Sequence, residues 1–286
     1  MKKSLLVFLC TLLSFSLFSE DKLQIKFALK YGMIKTKASV LDKFKLVKEL
    51  GYDGIEVNGP SNNREAFKAA SEASGLPIHG VVCSTHWKLQ LSDPDESIRA
   101  KGLEGFKQAI RDAKFYGASS VLLVPAKVRK GVTFEECWER SIIEIKKALP
   151  LAKELGINIL LENVWNDFLT TPEDTLKYIN ELNSDLVGSY FDIGNTVRYN
   201  PPASWPPVLG NKIMKLDVKP YVKQPKGQNL YKGFQAKIGQ DDNDWPAVCK
   251  ALKAINYSGW ATAEVGGGDK ERLAEILANM QKVFSH

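Results

Sequence analysis

The chain has 286 residues, 39 Lys+Arg against 33 Asp+Glu, 44% hydrophobic and 25% charged, values that exclude collagen-like, low-complexity and wholly disordered chains. The net charge of +6 sits partly on Lys2 and Lys3, and the other basic residues are scattered, without an arginine-rich stripe or a nucleic-acid module. Charge therefore makes no case for a nucleic-acid partner.

Residues 1–19 read as an export signal. Lys2 and Lys3 precede the uncharged, almost wholly apolar run Ser4 to Phe18, and Ser19 lies before Glu20 and Asp21. A stretch of about 15 residues is short for a membrane span, which needs about 20. The expectation is an exported protein, periplasmic or extracellular, with residues 20–286 as the mature unit and no membrane contact unless the segment stays on as an uncleaved anchor. Cys83, Cys137 and Cys249 stand at wide spacings without a C-x-x-C pair, as buried or half-buried thiols do.

From Gln24 onward, short β-rich runs alternate with helical patterns. QIKFALK (24–30) precedes a helical stretch at 39–50; DGIEVN (53–58) precedes 62–74; PIHGVVC (77–83) precedes 95–116; SSVLLVP (119–125) precedes 134–155. INILLEN (157–163) precedes 172–183, LVGSYFD (186–192) a shorter helix near 203–210, KIMKLDV (212–218) a helix at 245–255, and GWATAEV (259–265) a last helix at 269–284. The joins ELGYDGIEV, FYGASSVLL, ELGINILLE and AINYSGWATAEV each put Gly or Asn where a helix ends, suited to a left-handed cap. Eight β/α units without a linker predict an α/β fold with a single (β/α)₈ TIM barrel over 20–286. An open doubly wound sheet would need a glycine-rich phosphate loop after the first strand, and YGMIKTK holds one glycine.

In such a barrel, functional residues stand at the C-terminal ends of strands. Strand five ends in Glu162, strand six in Asp192, strand seven carries Asp217 and strand eight ends in Glu264. Four carboxylates meeting at one mouth force either protonation or a bound cation, and a divalent metal is the economical answer. The rival is neutralisation by Lys215 and Lys219, two residues either side of Asp217 and so on its face of the strand.

The runs ILLENVWNDFLTTPED and SYFDIGNTVRYNPPASW, with DWPAVCKALKAINYSGWATAEV ending at Glu264, resemble the xylose isomerase-like sugar (phosphate) isomerase/epimerase superfamily over most of 24–284. The resemblance implies one divalent ion held by Glu, Asp, His and Glu from strands five to eight. Glu162, Asp192 and Glu264 match three of these ligands, and Asp217 stands where the histidine is expected. An all-oxygen set favours Mg²⁺ or Mn²⁺, with Co²⁺ also admissible. Asn195 likewise replaces a histidine common three residues past the aspartate.

The chemistry implied is removal of a proton beside a keto-sugar carbonyl through an enediolate, with Glu162 and Glu264 as the acid/base pair. Trp165, Asn166 and Asn195 could meet sugar hydroxyls, His86 lies in a loop that could cover the pocket, and Glu56 ends strand two beside Asn58. Trp165 could equally pack over a helix end, and a structural role is slightly favoured for Glu56. His79, inside strand three, reads as a packed core residue, and Lys223 and Lys226 as solvated loop charges. The expected partner is a small sugar or keto-sugar, and export favours a free sugar or glycoside over a phosphate ester. Two other readings stand beside the isomerase/epimerase: a lyase or hydratase of 3-keto-glycosides, and a non-catalytic carbohydrate-binding barrel. Metal-dependent endonuclease relatives use several histidines, whereas only His79 and His86 lie in the body of this chain.

Overall fold

Each β-rich run of the sequence becomes a strand of one parallel sheet that closes on itself. A computed structural model describes residues 23–286; the export segment expected at 1–19 lies outside the described residues. The strands are β1 (Gln24–Lys30), β2 (Gly54–Gly59), β3 (Ile78–Cys83), β4 (Ser120–Leu123), β5 (Asn158–Glu162), β6 (Val187–Asp192), β7 (Ile213–Val218) and β8 (Ser258–Ala263), paired in sequence order, with β8 closing onto β1. The long helices are α1 (Val40–Glu49), α2 (Arg64–Ser74), α3 (Glu96–Tyr116), α4 (Phe134–Leu155) and α5 (Pro172–Leu182). They are followed by the short α6 (Ile193–Thr196) and α7 (Trp205–Leu209), then α8 (Trp245–Ala254) and α9 (Lys270–Val283). Among the described residues, no helix is long and apolar enough to cross a membrane. The eightfold expectation holds, to within a residue or two at most element ends.

Local chemistry explains the boundaries. Thr133 and Glu136 form a reciprocal capping box that starts α4. Gly51, Gly117, Gly156 and Asn256, at the four similar joins, all have positive φ (94°, 77°, 67° and 55°), the conformation that lets the chain leave a helix and turn into the next strand. The helix expected at 203–210 shrinks to the five residues of α7 behind a 3₁₀ turn at Pro202–Ser204. Pro201, Pro202, Pro206 and Pro207 crowd this stretch, and proline has no N–H to extend a helical ladder.

Most apolar side chains pack between the sheet and the helices, while Leu122, Leu160 and Tyr190, with Val82 and Met214, form a small apolar layer of their own. Two register shifts shape the interior. Ile55 pairs with Ile78 but Glu56 with Gly80, leaving His79 as the extra residue, and Ser189 pairs with Ile213 but Tyr190 with Lys215, leaving Met214. Such bulges re-aim side chains. The His79 ring accordingly stacks on Trp260 at 4.3 Å, with Nε2 3.2 Å from Thr262 Oγ1 and Nδ1 3.0 Å from Lys215 Nζ. His79 is thus the packed interior residue its strand position suggested. Cys83, Cys137 and Cys249 are buried free thiols.

Candidate active site

The strand ends bring the four predicted carboxylates together. Glu162 and Asp192 are the last residues of β5 and β6, Asp217 lies on β7, and Glu264 follows β8. One oxygen of each lies within 4.8 Å of the others. Asp192 and Asp217 are fully buried and Glu162 nearly so, whereas the Glu264 side chain is 36% exposed.

Two lysines enter this cluster. Lys30, at the end of β1, donates to Asp217 Oδ2 at 2.8 Å and stands 3.3 Å from Glu264 Oε2 and 3.9 Å from Glu56 Oε2. Lys219, just past β7, lies 3.0 Å from Asp192 Oδ2 and 2.9 Å from the same Glu264 Oε2. Asp217 is therefore paired, but with Lys30 rather than with Lys215 or Lys219. Lys215, two residues deeper in the barrel, spends its ammonium on the His79 carbonyl at 2.6 Å and the His79 ring. Four carboxylate oxygens this close could hold a cation. As arranged, oxygens of three of the four lie within 3.3 Å of ammonium groups, while Asp217 Oδ1 and Glu264 Oε2 are buried without a hydrogen-bond partner.

The same neighbours separate the two glutamates in acidity. Burial, with the adjacent Glu264 charge, pushes Glu162 up to about 8. For Glu264 burial also acts upward, but Lys219 and Lys30 outweigh it and hold the carboxyl at about 2. Near neutral pH Glu162 therefore carries a proton and Glu264 a negative charge, an acid beside a base.

The remaining expected residues divide. Asn195 lines the cavity, yet its backbone N–H and its Nδ2 both donate to Asp192, at 2.8 and 2.7 Å, so it chiefly orients that carboxylate. Trp165 lines the cavity and donates from Nε1 to the Asn195 carbonyl at 2.9 Å while packing against Tyr221, Tyr231 and Phe234. His86 also lines it; Nδ1 accepts from the Val124 N–H at 3.0 Å, which leaves the ring proton on Nε2. Burial first and Lys30 second bring its pKa down to about 3, so the ring is neutral.

Two expectations need correction. Asn166 is not among the cavity-lining residues: it donates to the Ala126 carbonyl at 2.6 Å and accepts from the Phe168 N–H at 3.0 Å, pinning its own loop. Glu56, expected at the same mouth, does not line the cavity either; it is buried, 3.9 Å from Lys30 Nζ.

The cavity measures about 730 Å³, inside the range of roughly 300–1,000 Å³ usual for small-molecule sites. Lys30, Lys127, Tyr231 and Phe234 also line it and were not anticipated. Lys30 could have been found by applying to strand one the strand-end rule that picked out strands five to eight. Tyr231 and Phe234 lie on a 3₁₀ helix, Leu230–Gln235, within the long connection after β7, where no periodicity in the sequence points inward.

The sequence profile described as Xylose isomerase-like TIM barrel matches residues 44–283. The chain belongs to this family. The L-ribulose-5-phosphate 3-epimerase of Shigella flexneri is 25% identical over 167 residues, 54% of this chain and 59% of that protein. The corresponding protein of Salmonella paratyphi A is 24% identical over 250 residues, 83% of this chain and 86% of its own. A solved 3-keto-D-glucoside 4-epimerase from E. coli superposes with a TM-score of 0.74 at 17% identity, over 91% of this chain and 99% of that one, a likeness of fold. In this xylose isomerase-like barrel Glu162, Asp192, Asp217 and Glu264 stand together at the strand ends, with Lys30 paired to Asp217.

Proposed function

We propose that this protein is a sugar epimerase or isomerase that moves a proton beside the carbonyl of a keto-sugar, with Glu264 as the base and Glu162 as the acid. The observation that supports the reading is this pair lining one cavity at the C-terminal ends of the strands, one held at about 2 and the other at about 8. Glu264 takes the proton from the carbon beside the carbonyl, the C–H electron pair becomes the enediolate, and Glu162 returns a proton to the carbon. One oxygen of each glutamate lies within 4.8 Å of the other. Substrate entry therefore has to part them before a carbon is flanked on two faces. Neutral His86 offers Nε2–H to a hydroxyl, and Trp165 an apolar wall. A divalent cation, Mg²⁺ or Mn²⁺ by its all-oxygen donors, would compete with Lys30 and Lys219 for the same oxygens, so the proton-transfer roles are stated independently of it.

The relatives' substrates include a sugar phosphate and a 3-keto-glucoside. Export through residues 1–19 is part of the proposal and favours the unphosphorylated class. A second reading, action on 3-keto-glycosides, draws on the exposed Trp87 and Tyr231 among the lining residues, which could stack on an aglycone. The deciding experiment incubates the purified protein with keto-sugars and 3-keto-glycosides in deuterated water and follows products by NMR. Deuterium at the carbon beside the carbonyl with all substituents retained is the expected result, release of an aglycone would reassign the protein as a lyase, and no exchange on any member would favour a binding protein.

A further inference from the structure

We propose that the ammonium groups of Lys30 and Lys219 stand in for the divalent ion in this carboxylate cage, so that the site works without metal and the two lysines bear the charge of the enediolate. The inference rests on the proton-transfer reading above for its chemistry, but not for its occupancy claim.

The geometry carries it. Four oxygens within 4.8 Å leave room for one cationic centre, and two tethered nitrogens already touch three of the four carboxylates at 2.8–3.3 Å. Both lie within 3.3 Å of Glu264 Oε2 as ion pairs. Magnesium binds oxygen at about 2.0–2.1 Å in a near-ideal octahedron, so an ion on that oxygen would sit within roughly 5 Å of each positive nitrogen. Both lysines come from barrel strand ends, with side chains only 17% and 16% exposed, which gives them little room to swing into solvent. Asp217, at the position where the resemblance leads one to expect a histidine, completes the exchange, because a carboxylate there is the partner Lys30 requires.

In the reaction, the substrate oxygens would take over ammonium contacts now made with the carboxylates. As Glu264 removes the proton, the C–H electron pair moves into the new C–C double bond and the carbonyl oxygen becomes an oxyanion facing Lys30 and Lys219. Pre-oriented donors at developing charge are the largest single contribution in many such sites. Glu162 then gives its proton to carbon, and the carbonyl re-forms. No oxidant, reductant or co-reactant is consumed.

Calorimetric titration of the chelator-treated full chain with Mg²⁺, Mn²⁺ and Co²⁺ tests the occupancy directly. The expected result is no saturable binding up to millimolar concentration and substrate deuterium exchange that a chelator leaves unchanged. Lys30→Met, and Lys30→Met combined with Asp217→His, are expected to bind Mn²⁺ saturably, at least 100-fold tighter than wild type, with slower exchange. Stoichiometric binding by wild type, or exchange lost to a chelator and restored by Mn²⁺, would overturn the proposal. So would folded variants, verified by circular dichroism, that gain no affinity. If no keto-sugar exchanges a proton the reaction is wrong, and the titration still decides what fills the cage.

Discussion

Glu162 and Glu264 carry the same functional group, and only what faces them shifts one up and the other down in acidity. Lys30 and Lys219 both approach Glu264 Oε2, whereas neither forms an ion pair with Glu162 within 4.0 Å among the described residues. Replacing either carboxylate by an amide keeps its shape but removes proton transfer, which should cost about 10²–10⁴-fold in turnover. The two losses should differ in kind. With a substrate whose reaction starts at Glu264, Glu162→Gln should still exchange the substrate proton with solvent but fail to invert the carbon, while Glu264→Gln should do neither. NMR in deuterated water distinguishes these outcomes, and near-normal inversion in either variant would show the pair to be misassigned. The pH profile follows from the same groups. In the proposed mechanism turnover needs Glu162 protonated and Glu264 ionised, so kcat/KM should fall as pH rises through about 8 and hold on the acid side toward about 2, until other groups fail.

Elements were the most legible part of the sequence, because hydrophobic period and glycine or asparagine caps report local geometry that tertiary packing here reinforces. Strand-end carboxylates were legible for the same reason: in a closed barrel, position along a strand decides which end faces the mouth. What escaped was held by long-range or irregular structure. Lys30 meets Asp217 across 187 residues, and Asn166 turned away because its loop needed the Ala126 and Phe168 backbone groups satisfied. The loop after β3 offers a prediction. It lies directly on α3, where a Cβ on Gly102 would come within 2.3 Å of the Leu89 carbonyl oxygen and one on Gly105 within 2.6 Å of Thr85 Oγ1. Alanine favours a helix over glycine by about 1 kcal/mol, but a backbone carbonyl cannot step aside, and overpacking costs about 1–3 kcal/mol. Gly102→Ala should therefore lower the urea midpoint and, by displacing His86 and Trp87, raise KM. A more stable variant with unchanged KM would mean the loop yields freely.

For the whole molecule, a barrel that buries carboxylates must show it in the pH dependence of folding. Glu162 is raised from 4.5 to about 8 in the native state, so between those values the native chain holds a proton that the unfolded chain has released, and stability falls as pH rises. Its contribution is fully present below about 4.5 and is lost through about 8. Glu162→Gln lacks this titration. Wild type and variant should melt at similar temperatures near pH 5, with the inactive variant the more stable near pH 9; parallel melting curves across that range would contradict the assignment. The same comparison separates loss of chemistry from loss of fold.

The seam between β1 and β8 runs from Gln24 opposite Ser258 to Leu29 opposite Ala263, and Lys30 stands at its upper end. On the ribosome Lys30 emerges 187 residues ahead of Asp217, about 10–40 s earlier at roughly 5–20 residues per second. Throughout that interval the lysine has none of its acidic partners from the last two strands, and Glu162, once made, lacks its opposite number. Under the proposed proton-transfer roles, a chain interrupted before Glu264 holds the acid without its base and is chemically silent.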